Sequence, residues 1–251
     1  MRHIVTSIAA STLAGWRGTM AARRTDGPPL MLQLYEFEAC PFCRMVRETL
    51  TELDLDAVIL PCPRGGTRFR PQAEAVGGRQ QFPLLVDDNV NRVIYESREI
   101  IAHLRQTYGQ GQAREKSPPG RVGEIGSALA SVVRGMAGMH ADTGVDRACP
   151  RELPELYSFE SSPYCRRVRE VLCELEVPYV LRNTGKIGLA DMGPPWVREK
   201  LFPNAPVEGR NRQHLMDEAG RVQVPYLVDA NTQTALHESA DIEAYLRRTY
   251  G

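Results

Sequence analysis

The residues best placed for chemistry are Cys40 and Cys43, which form the one Cys-x-x-Cys pair in the sequence. Pro41 suits the first position of a helix, which would make Cys40 its N-cap. At that position, unpaired backbone N–H groups and the positive end of the helix dipole stabilise a thiolate. Such sites lower the pKa of a cysteine from about 8.5 to about 3.5–7.5. The pair therefore predicts thiol or redox chemistry. The alternatives are a structural pair, or part of a metal site whose other ligands come from elsewhere in the chain.

The segment around Cys40 occurs twice. "YEFEACPFCRMVRE" returns as "YSFESSPYCRRVRE", with Ser162 in the place of Cys40. Residues 34–55 and 156–177 are identical at 13 of 22 positions, at an offset of 122 residues. Two later matches, "GRQQFPLLVD" with "GRVQVPYLVD" and "IIAHLRQTYG" with "IEAYLRRTYG", have an offset of 142 residues. The chain is therefore an internal repeat, and its second copy carries about 20 extra residues.

Both copies show the same order of predicted elements, β-α-β-(α)-β-β-α. A strand, helix and strand form a parallel crossover pair, and two later strands form an antiparallel hairpin, which predicts a small mixed sheet in each copy. The extra segment, "LADMGPPWVREKLFPNAP", is rich in Pro and Gly and is predicted to be a surface excursion. We place an N-terminal arm helix in 1–30, a first domain in 31–110, a linker with a second arm helix in 111–153, and a second domain in 154–251.

Each arm is predicted from a stripe of apolar residues at helical spacing, which occurs before each copy. The first stripe runs from Ile4 to Met20 and the second from Val122 to Met139. The first stretch also lacks acidic residues before Asp26, as an organelle-targeting or signal sequence would. A cleaved peptide has no reason to recur in mid-chain, so structural arms are the favoured interpretation.

The composition predicts a globular protein of a reducing compartment such as the cytoplasm. The 251 residues carry no net charge, so no broad field favours nucleic acid or an anionic membrane. The apolar stretch at the N-terminus is interrupted and too short to span a bilayer. Six unevenly spaced cysteines do not make a disulfide scaffold. We therefore expect no nucleic-acid partner, no transmembrane segment and no resident metal.

Two further features recur in both copies. Pro83 and Pro225 each open a predicted strand near the reactive loop, where a cis peptide bond would turn the preceding residue's backbone towards that loop. A Glu-Ser pair, at 96–97 and 238–239, then ends a strand and begins a helix. Each serine is a plausible N-cap, and a glutamate beside a helix N-terminus could hold an α-amino acid group.

With "CPFC" at 40–43, "QFP" at 81–83 and "ES" at 96–97, each copy resembles the thioredoxin-like N-terminal domain of glutathione S-transferases and also glutaredoxins. The resemblance covers about 75–80 residues in each half. It implies an α/β fold of two tandem thioredoxin-like domains, each βαβαββα with a mixed four-stranded sheet. It also implies glutathione as co-substrate. In that family the residue before the cis proline pairs with the cysteinyl backbone of glutathione, and the Glu-Ser pair holds its γ-glutamyl end.

Transferred residue by residue, the resemblance implies a set of glutathione contacts: Phe82, Pro83, Glu96 and Ser97 in the first copy, Val224, Pro225, Glu238 and Ser239 in the second, with Arg79 and Arg221 as further candidates. Basic residues of the variable loop often meet the glycyl carboxylate, which also makes Arg64, Arg68 and Arg70 candidates.

The same resemblance explains the exchange of Cys40 for Ser162. A cysteine there forms mixed disulfides with glutathione, whereas a serine donates a hydrogen bond that lowers the pKa of the glutathione thiol. We therefore expect a thiol–disulfide oxidoreductase that uses Cys40, assisted by Cys43, on glutathionylated or disulfide substrates. Ser162 would belong to a Ser-type or degenerate glutathione site.

Three alternatives remain at this stage: a non-catalytic glutathione-binding or partner-recruiting module, a glutathione transferase without the helical acceptor domain, and a cluster-binding glutaredoxin with Cys40 and glutathione as ligands. The sequence also leaves open whether the two copies pair as an intramolecular pseudo-dimer.

Overall fold

The computed structural model describes residues 2–24, 26–142, 148–192, 198, 200–203 and 205–251. The elements of the first repeat follow the predicted order: β1 (Leu32–Glu36), α2 (Pro41–Glu52), β2 (Ala57–Pro61), α3 (Arg70–Gly77), β3 (Leu84–Asp87), β4 (Arg92–Tyr95) and α4 (Ser97–Tyr108). The second repeat matches them: β5 (Glu155–Ser158), α7 (Pro163–Glu174), β6 (Tyr179–Asn183), α8 (Arg210–Ala219), β7 (Tyr226–Asp229), β8 (Thr234–His237) and α9 (Ser239–Tyr250). The arms are α1 (Arg2–Leu13) and α6 (Arg121–Val133), and a short α5 (Gln112–Glu115) lies in the linker.

Each repeat contributes four strands with the predicted pairing. In the first repeat β1 is parallel to β2 and antiparallel to β3, which is antiparallel to β4. In the second repeat β5, β6, β7 and β8 pair in the same way. The parallel crossover and the antiparallel hairpin therefore occur in both halves of the chain.

The expectation of a separate four-stranded sheet in each copy is wrong. Strand β2 pairs antiparallel with β6, with Ala57 opposite Leu181 and Ile59 opposite Tyr179. The result is one eight-stranded sheet with the order β4-β3-β1-β2-β6-β5-β7-β8. An unpaired, largely buried strand edge would leave backbone N–H and C=O groups without partners, and edge-to-edge pairing satisfies them. The order reads the same outwards from the β2–β6 junction in both directions.

The two halves also share their apolar core. One cluster of buried side chains includes Leu50 and Ile101 from the first repeat together with Leu172 and Leu246 from the second. Helix α2 faces this cluster because its apolar residues recur at helical spacing. The joined sheet and core hold the N-termini of α2 and α7 in a fixed relation.

The arms are exchanged between the repeats. Helix α1 packs against α7 of the second repeat, and α6 packs against α2 of the first. After α1, Lys186 N–H donates to the Thr19 carbonyl and Ala21 N–H to the Lys186 carbonyl, both at 2.8 Å. After α6, Arg64 N–H donates to the Met139 carbonyl at 2.7 Å and Ala141 N–H to the Arg64 carbonyl at 2.8 Å. Each arm therefore extends the repeat that it does not precede.

Gly18 makes this close approach possible. Its φ is +70°, and a Cβ atom at this position would lie 2.8 Å from Cβ of Glu160 and 3.0 Å from Cα of Glu48. A larger residue would push the arm away from both repeats at once. Across the described residues, no helix combines the length and apolar content needed to cross a bilayer.

Candidate functional site

Cys40 is the N-cap of α2, as the position of Pro41 predicted. Cys43 N–H donates a hydrogen bond to Sγ of Cys40 at 3.3 Å. The hydrogen bond from the Cys43 side chain lowers the pKa of Cys40; burial opposes this, and the backbone N–H groups of Cys43 and Phe42 reinforce it. Both thiols are free rather than joined in a disulfide. The arrangement favours a thiolate at Cys40.

Cys43 has the opposite environment. Its side chain is fully buried, and burial raises its pKa well above the ordinary value of 9.0. The thiolate of Cys40, which Cys43 hydrogen-bonds, raises that pKa further. Of the two thiols, Cys40 therefore ionises first and is the candidate nucleophile.

Ser162 reproduces the geometry of Cys40 in the second repeat. It is the N-cap of α7, and Cys165 N–H donates to its Oγ at 3.3 Å. Cys165 is fully buried, and burial raises its pKa. A hydroxyl at the helix N-terminus can donate to a bound thiolate, whereas Cys165 is poorly placed to become one.

The residues before the two prolines lie beside these helix N-termini. The Phe82–Pro83 and Val224–Pro225 peptide bonds are both cis. The Phe82 ring meets that of Phe37 edge-on, with 6.4 Å between the ring centroids. Because Phe37 lies three positions before Cys40, the proline loop and the cysteine loop are in contact.

The Glu-Ser pairs differ from the expectation in one respect. Ser97 and Ser239 are the first helical residues rather than the N-caps, because the chain turns one residue earlier, at Glu96 and Glu238. The φ angles of these two glutamates are 64° and 68°, in the left-handed region that non-glycine residues seldom adopt. This turn leaves both serines buried at the start of α4 and α9.

A glutamine holds each of these glutamates. Gln81 Nε2 donates to Oε1 of Glu96, and Gln223 Nε2 donates to Oε1 of Glu238 at 2.5 Å. This role was not predicted from the sequence, although a glutamine stands two positions before the proline in both copies.

A cavity of about 1010 Å³ lies at the second repeat. It brings together five residues of the predicted glutathione site: Ser162, Val224, Pro225, Glu238 and Ser239. Ser162 has only 3% of its surface exposed and still lines this cavity. Cys40, its counterpart in the first repeat, has 4% of its surface exposed.

Other walls of the cavity come from parts of the chain that the sequence analysis did not assign to a site. Trp16, Thr19 and Met20 belong to the exchanged first arm, while Lys186 and Met192 follow β6. No local pattern could place these residues together, because the crossing of the arms is a long-range feature. The predicted surface excursion contains Met192, and its residues 193–197, 199 and 204 lie outside the described part of the chain.

The candidate arginines have different surroundings. The guanidinium of Arg70 stacks over the Phe82 ring at 5.0 Å, and that of Arg79 over Tyr95 at 4.3 Å. Arg68 Nη1 instead donates to the carbonyl of Glu176 in the second repeat at 2.7 Å. Arg64 pairs with the second arm through its backbone. In the second repeat, Arg221 is exposed beside His237, whose pKa is lowered by burial and then by that charge.

A buried set of charges, the inter-repeat ionic cluster, links the two helix N-termini. Its members are Glu36, Glu38, Glu160, Arg47 and Arg169, all at most 3% exposed. Arg47 bonds to Glu36, and lies 3.1 Å from Glu38 and 2.9 Å from Glu160. Arg169 lies 3.1 Å from Glu38 and 2.9 Å from Glu160. Glu38 and Glu160 each stand two residues before the cap residue of their repeat.

The carboxylates of this cluster do not ionise alike. Burial opposes ionisation of Glu160, yet the charges of Arg169 and Arg47 lower its pKa to about 2. Burial raises the pKa of Glu36 to about 8, against the attraction of Arg47. Burial therefore favours the protonated form of Glu36, whereas the two arginines favour the ionised form of Glu160. The second repeat has Ser158 in the place of Glu36, so Ser162 has no counterpart of this carboxyl group at the matching position.

The family model described as "Glutathione S-transferase, N-terminal domain" matches residues 34–115 and again residues 156–251. Among solved structures, "Leishmania TDR1 - a unique trimeric glutathione transferase" matches 88% of this chain and 67% of its own chain, at 14% sequence identity and a TM-score of 0.30. No curated protein sequence matches the chain.

Proposed function

The chain belongs to the glutathione S-transferase N-terminal domain family, and we propose that it is a glutathione-dependent thiol–disulfide oxidoreductase that uses Cys40. The observation that carries this proposal is the position of Cys40 at the N-cap of α2, where hydrogen bonds from Cys43 lower its pKa. A thiolate is the nucleophile in thiol–disulfide exchange. The proposal places the protein in a reducing compartment such as the cytoplasm.

In the first step, the Cys40 thiolate attacks the glutathione sulfur of a glutathionylated substrate. A bond forms between that sulfur and Sγ of Cys40, the substrate S–S bond breaks, and the leaving thiolate takes a proton from water. In the second step, the thiolate of a free glutathione attacks the sulfur of glutathione attached to Cys40. Oxidised glutathione leaves, and Cys40 is a thiolate again.

Cys43 is the other candidate for resolving the mixed disulfide. Its thiol is fully buried and its pKa is raised, so little thiolate is present at neutral pH. Resolution by glutathione is therefore the favoured route, and Cys43 serves chiefly to stabilise the Cys40 thiolate.

In this proposal glutathione contacts the groove beside Cys40. The backbone of Phe82 pairs with the cysteinyl residue of glutathione, while Glu96 and Ser97 hold its γ-glutamyl end. The hydrogen bond from Gln81 supports this role, because it fixes the Glu96 carboxylate at the start of α4. Arg70, stacked over Phe82, and Arg79, stacked over Tyr95, are the candidates for a glutathione carboxylate.

We propose in addition that the second repeat binds glutathione without forming a mixed disulfide. The cavity at Ser162 supports this, since it contains the residues expected to contact the tripeptide. The Ser162 hydroxyl would donate to the glutathione thiolate. Glu238 and Ser239 would hold the γ-glutamyl group at the start of α9.

Reduction of a glutathione mixed disulfide tests the main proposal. We expect Cys40→Ser to abolish turnover, Ser162→Ala to leave it largely intact, and Cys43→Ala to retain measurable turnover. Full activity of Cys40→Ser would refute the assignment. Glutathione binding by calorimetry without any thiol exchange would instead favour a non-catalytic binding module.

A further inference from the structure

The second arm ends beside the loop that carries Cys40. Its Gly138 has a φ of +75°, and a Cβ atom at this position would lie 2.8 Å from Cβ of Glu38, two residues before Cys40. Sγ of Cys173 donates to the Gly138 carbonyl at 3.2 Å and accepts from Glu38 N–H at 3.4 Å. The arm and the cysteine loop are therefore in direct contact.

His140 lies two residues further along this arm, and its backbone is fixed. The residues on either side of it bond to one position of the first repeat. Arg64 N–H donates to the Met139 carbonyl at 2.7 Å, and Ala141 N–H donates to the Arg64 carbonyl at 2.8 Å. The His140 side chain itself is exposed. The imidazole is therefore held in place by its backbone and remains open to a ligand.

The first arm shows what a side chain at this position faces. Its backbone repeats that of the second arm, with Gly18 at a φ of +70° and one isolated β-bridge to the neighbouring repeat, at Met20 in the first arm and at His140 in the second. Met20 lines the same cavity as Ser162. By the internal repeat, His140 stands towards Cys40 as Met20 stands towards Ser162.

The two sites differ at both of these positions. The repeat with a cysteine at its helix N-terminus faces a histidine from the arm, whereas the repeat with a serine faces a methionine. An imidazole gives and takes protons near neutral pH, and a thioether does neither. A serine site that forms no mixed disulfide has no leaving thiolate to protonate. The difference between the arms therefore follows the chemistry proposed for each repeat.

The other side chains assigned to the glutathione groove of the first repeat are poorly suited to proton transfer. Arg70 and Arg79 stay charged, because a guanidinium does not lose its proton in proteins. Glu96 is assigned to the γ-glutamyl group and is held by Gln81. The thiol of Cys43 is fully buried, and burial raises its pKa well above the ordinary value. A proton for the leaving sulfur must therefore come from water or from the arm.

We propose that His140 transfers protons in the Cys40 reaction, a role that rests on the proposed function. In the first step the Cys40 thiolate attacks the glutathione sulfur, the S–S bond breaks, and the imidazolium of His140, in place of water, gives its proton to the sulfur that leaves. In the second step the neutral imidazole takes the proton of a free glutathione thiol as that sulfur attacks the mixed disulfide. Oxidised glutathione leaves, Cys40 is a thiolate again, and the imidazolium is restored.

Release of the leaving thiol in a single turnover, with the reduced full chain and no free glutathione, tests the first step. The substrates are the mixed disulfides of glutathione with 2-mercaptoethanol, a weakly acidic thiol, and with 5-thio-2-nitrobenzoate, which leaves as a stable thiolate and needs no proton. We expect His140→Gln to slow the first substrate by about a hundredfold, at the lower end of what general acid–base catalysis contributes, and to leave the second unchanged. Added imidazole should restore part of the lost rate to His140→Ala.

His214→Gln is the matched control, because it removes an exposed histidine of the second repeat, one that pairs with Glu218 at 3.1 Å. This variant should slow neither substrate. Alkylation of Cys40 by iodoacetamide should proceed at the same rate in His140→Gln as in the unmodified chain, since no leaving thiolate forms in that reaction.

Equal slowing of the two substrates, or slowing of neither, would overturn the role of His140 and leave the proposed function in place. Slower alkylation in His140→Gln would also overturn it, because the histidine would then act on Cys40 rather than on the leaving sulfur. If the unmodified chain releases thiol from neither substrate, the proposed function itself fails, and the role of His140 fails with it.

Discussion

Arg47 of the first repeat and Glu160 of the second form an ion pair of 2.9 Å, although both side chains are almost completely buried. Arg47 also bonds to Glu36 and Glu38, so one guanidinium offsets charge from both repeats. Taking such charges out of water is costly, and only mutual pairing recovers the cost. The two repeats are therefore held together by charge as well as by the β2–β6 junction.

Arg47→Met is expected to destabilise the protein by about 3–5 kcal/mol, because it leaves buried carboxylates without their main counter-charge. Thermal unfolding measures this, and a chain of this size loses roughly 2–4 °C in Tm for each kcal/mol. The control is Arg98→Met, which removes the exposed pair with Glu124 and should cost less than about 1 kcal/mol. Equal losses in the two variants would contradict a structural role for the cluster.

Glu36→Gln is expected to change how stability depends on pH. The pKa of Glu36 is raised from 4.5 to about 8 in the folded protein, so the folded state binds a proton that the unfolded state has released between these values. The contribution of Glu36 to the free energy of unfolding is therefore fully present below pH 4.5. It declines as the pH rises and is lost above about pH 8. Glutamine keeps the neutral form at every pH.

The Tm of Glu36→Gln relative to the unmodified chain should therefore rise between pH 6 and pH 9, and calorimetric scans at both values measure it. A difference in Tm that stays constant with pH would show that Glu36 does not hold a proton in the folded state. Glu52→Gln is a suitable control, since Glu52 lies in a more exposed pair with Lys116.

Cys43→Ala is expected to raise the pH at which Cys40 becomes reactive. The hydrogen bond from the Cys43 side chain is the largest contribution that lowers the pKa of Cys40, and alanine removes it while keeping the backbone N–H. The rate of alkylation by iodoacetamide as a function of pH measures the shift. A Cys149→Ser background removes the exposed thiol.

Cys165→Ala is the matched control, because it makes the same change in the second repeat and should leave the Cys40 profile unmoved. An unchanged midpoint in Cys43→Ala would show that the helix N-terminus alone sets the reactivity of Cys40.

Gly18→Ala is expected to loosen the first arm, since a Cβ atom there would meet Glu160 and the backbone of Glu48 within 3.0 Å. We expect a lower Tm and faster hydrogen exchange at Ala21 and Lys186, whose backbone groups bond across this contact. Gly188→Ala is the control, because an added Cβ there meets nothing within 4 Å. If the rate of hydrogen exchange at both amides were unchanged, Gly18 would not be needed for the close packing of the arm against the repeats.

Much of the fold within each repeat could be predicted from local patterns. Pro41 and Pro163 do begin helices, with Cys40 and Ser162 as their N-caps. The parallel crossover and the hairpin were predictable because strand and helix periodicities differ. The N-cap positions of α4 and α9 were wrong by one residue, because a positive φ at a glutamate leaves little trace in the sequence.

The relation between the repeats could not be predicted. Pairing of β2 with β6 depends on which strand edge remains unpaired after each half has folded. Exchange of the arms depends on contacts between residues that are far apart in the sequence, which local patterns do not reveal. The cavity follows from both, so residues such as Trp16 and Lys186 joined the candidate site only in three dimensions. Ser162, by contrast, was visible at once as the counterpart of Cys40.

Because the arms are exchanged, each half of the polypeptide receives a packing helix from the other half. A fragment cut after the first α/β unit would keep a helix whose docking groove had been removed, and would expose β2 as an open strand edge. Two copies of such a fragment could associate: the arm helix of each would pack against α2 of the other, and their exposed β2 strands would pair. In the full chain both exchanges occur within one polypeptide. The cysteine-bearing and serine-bearing repeats are therefore always present in a one-to-one ratio.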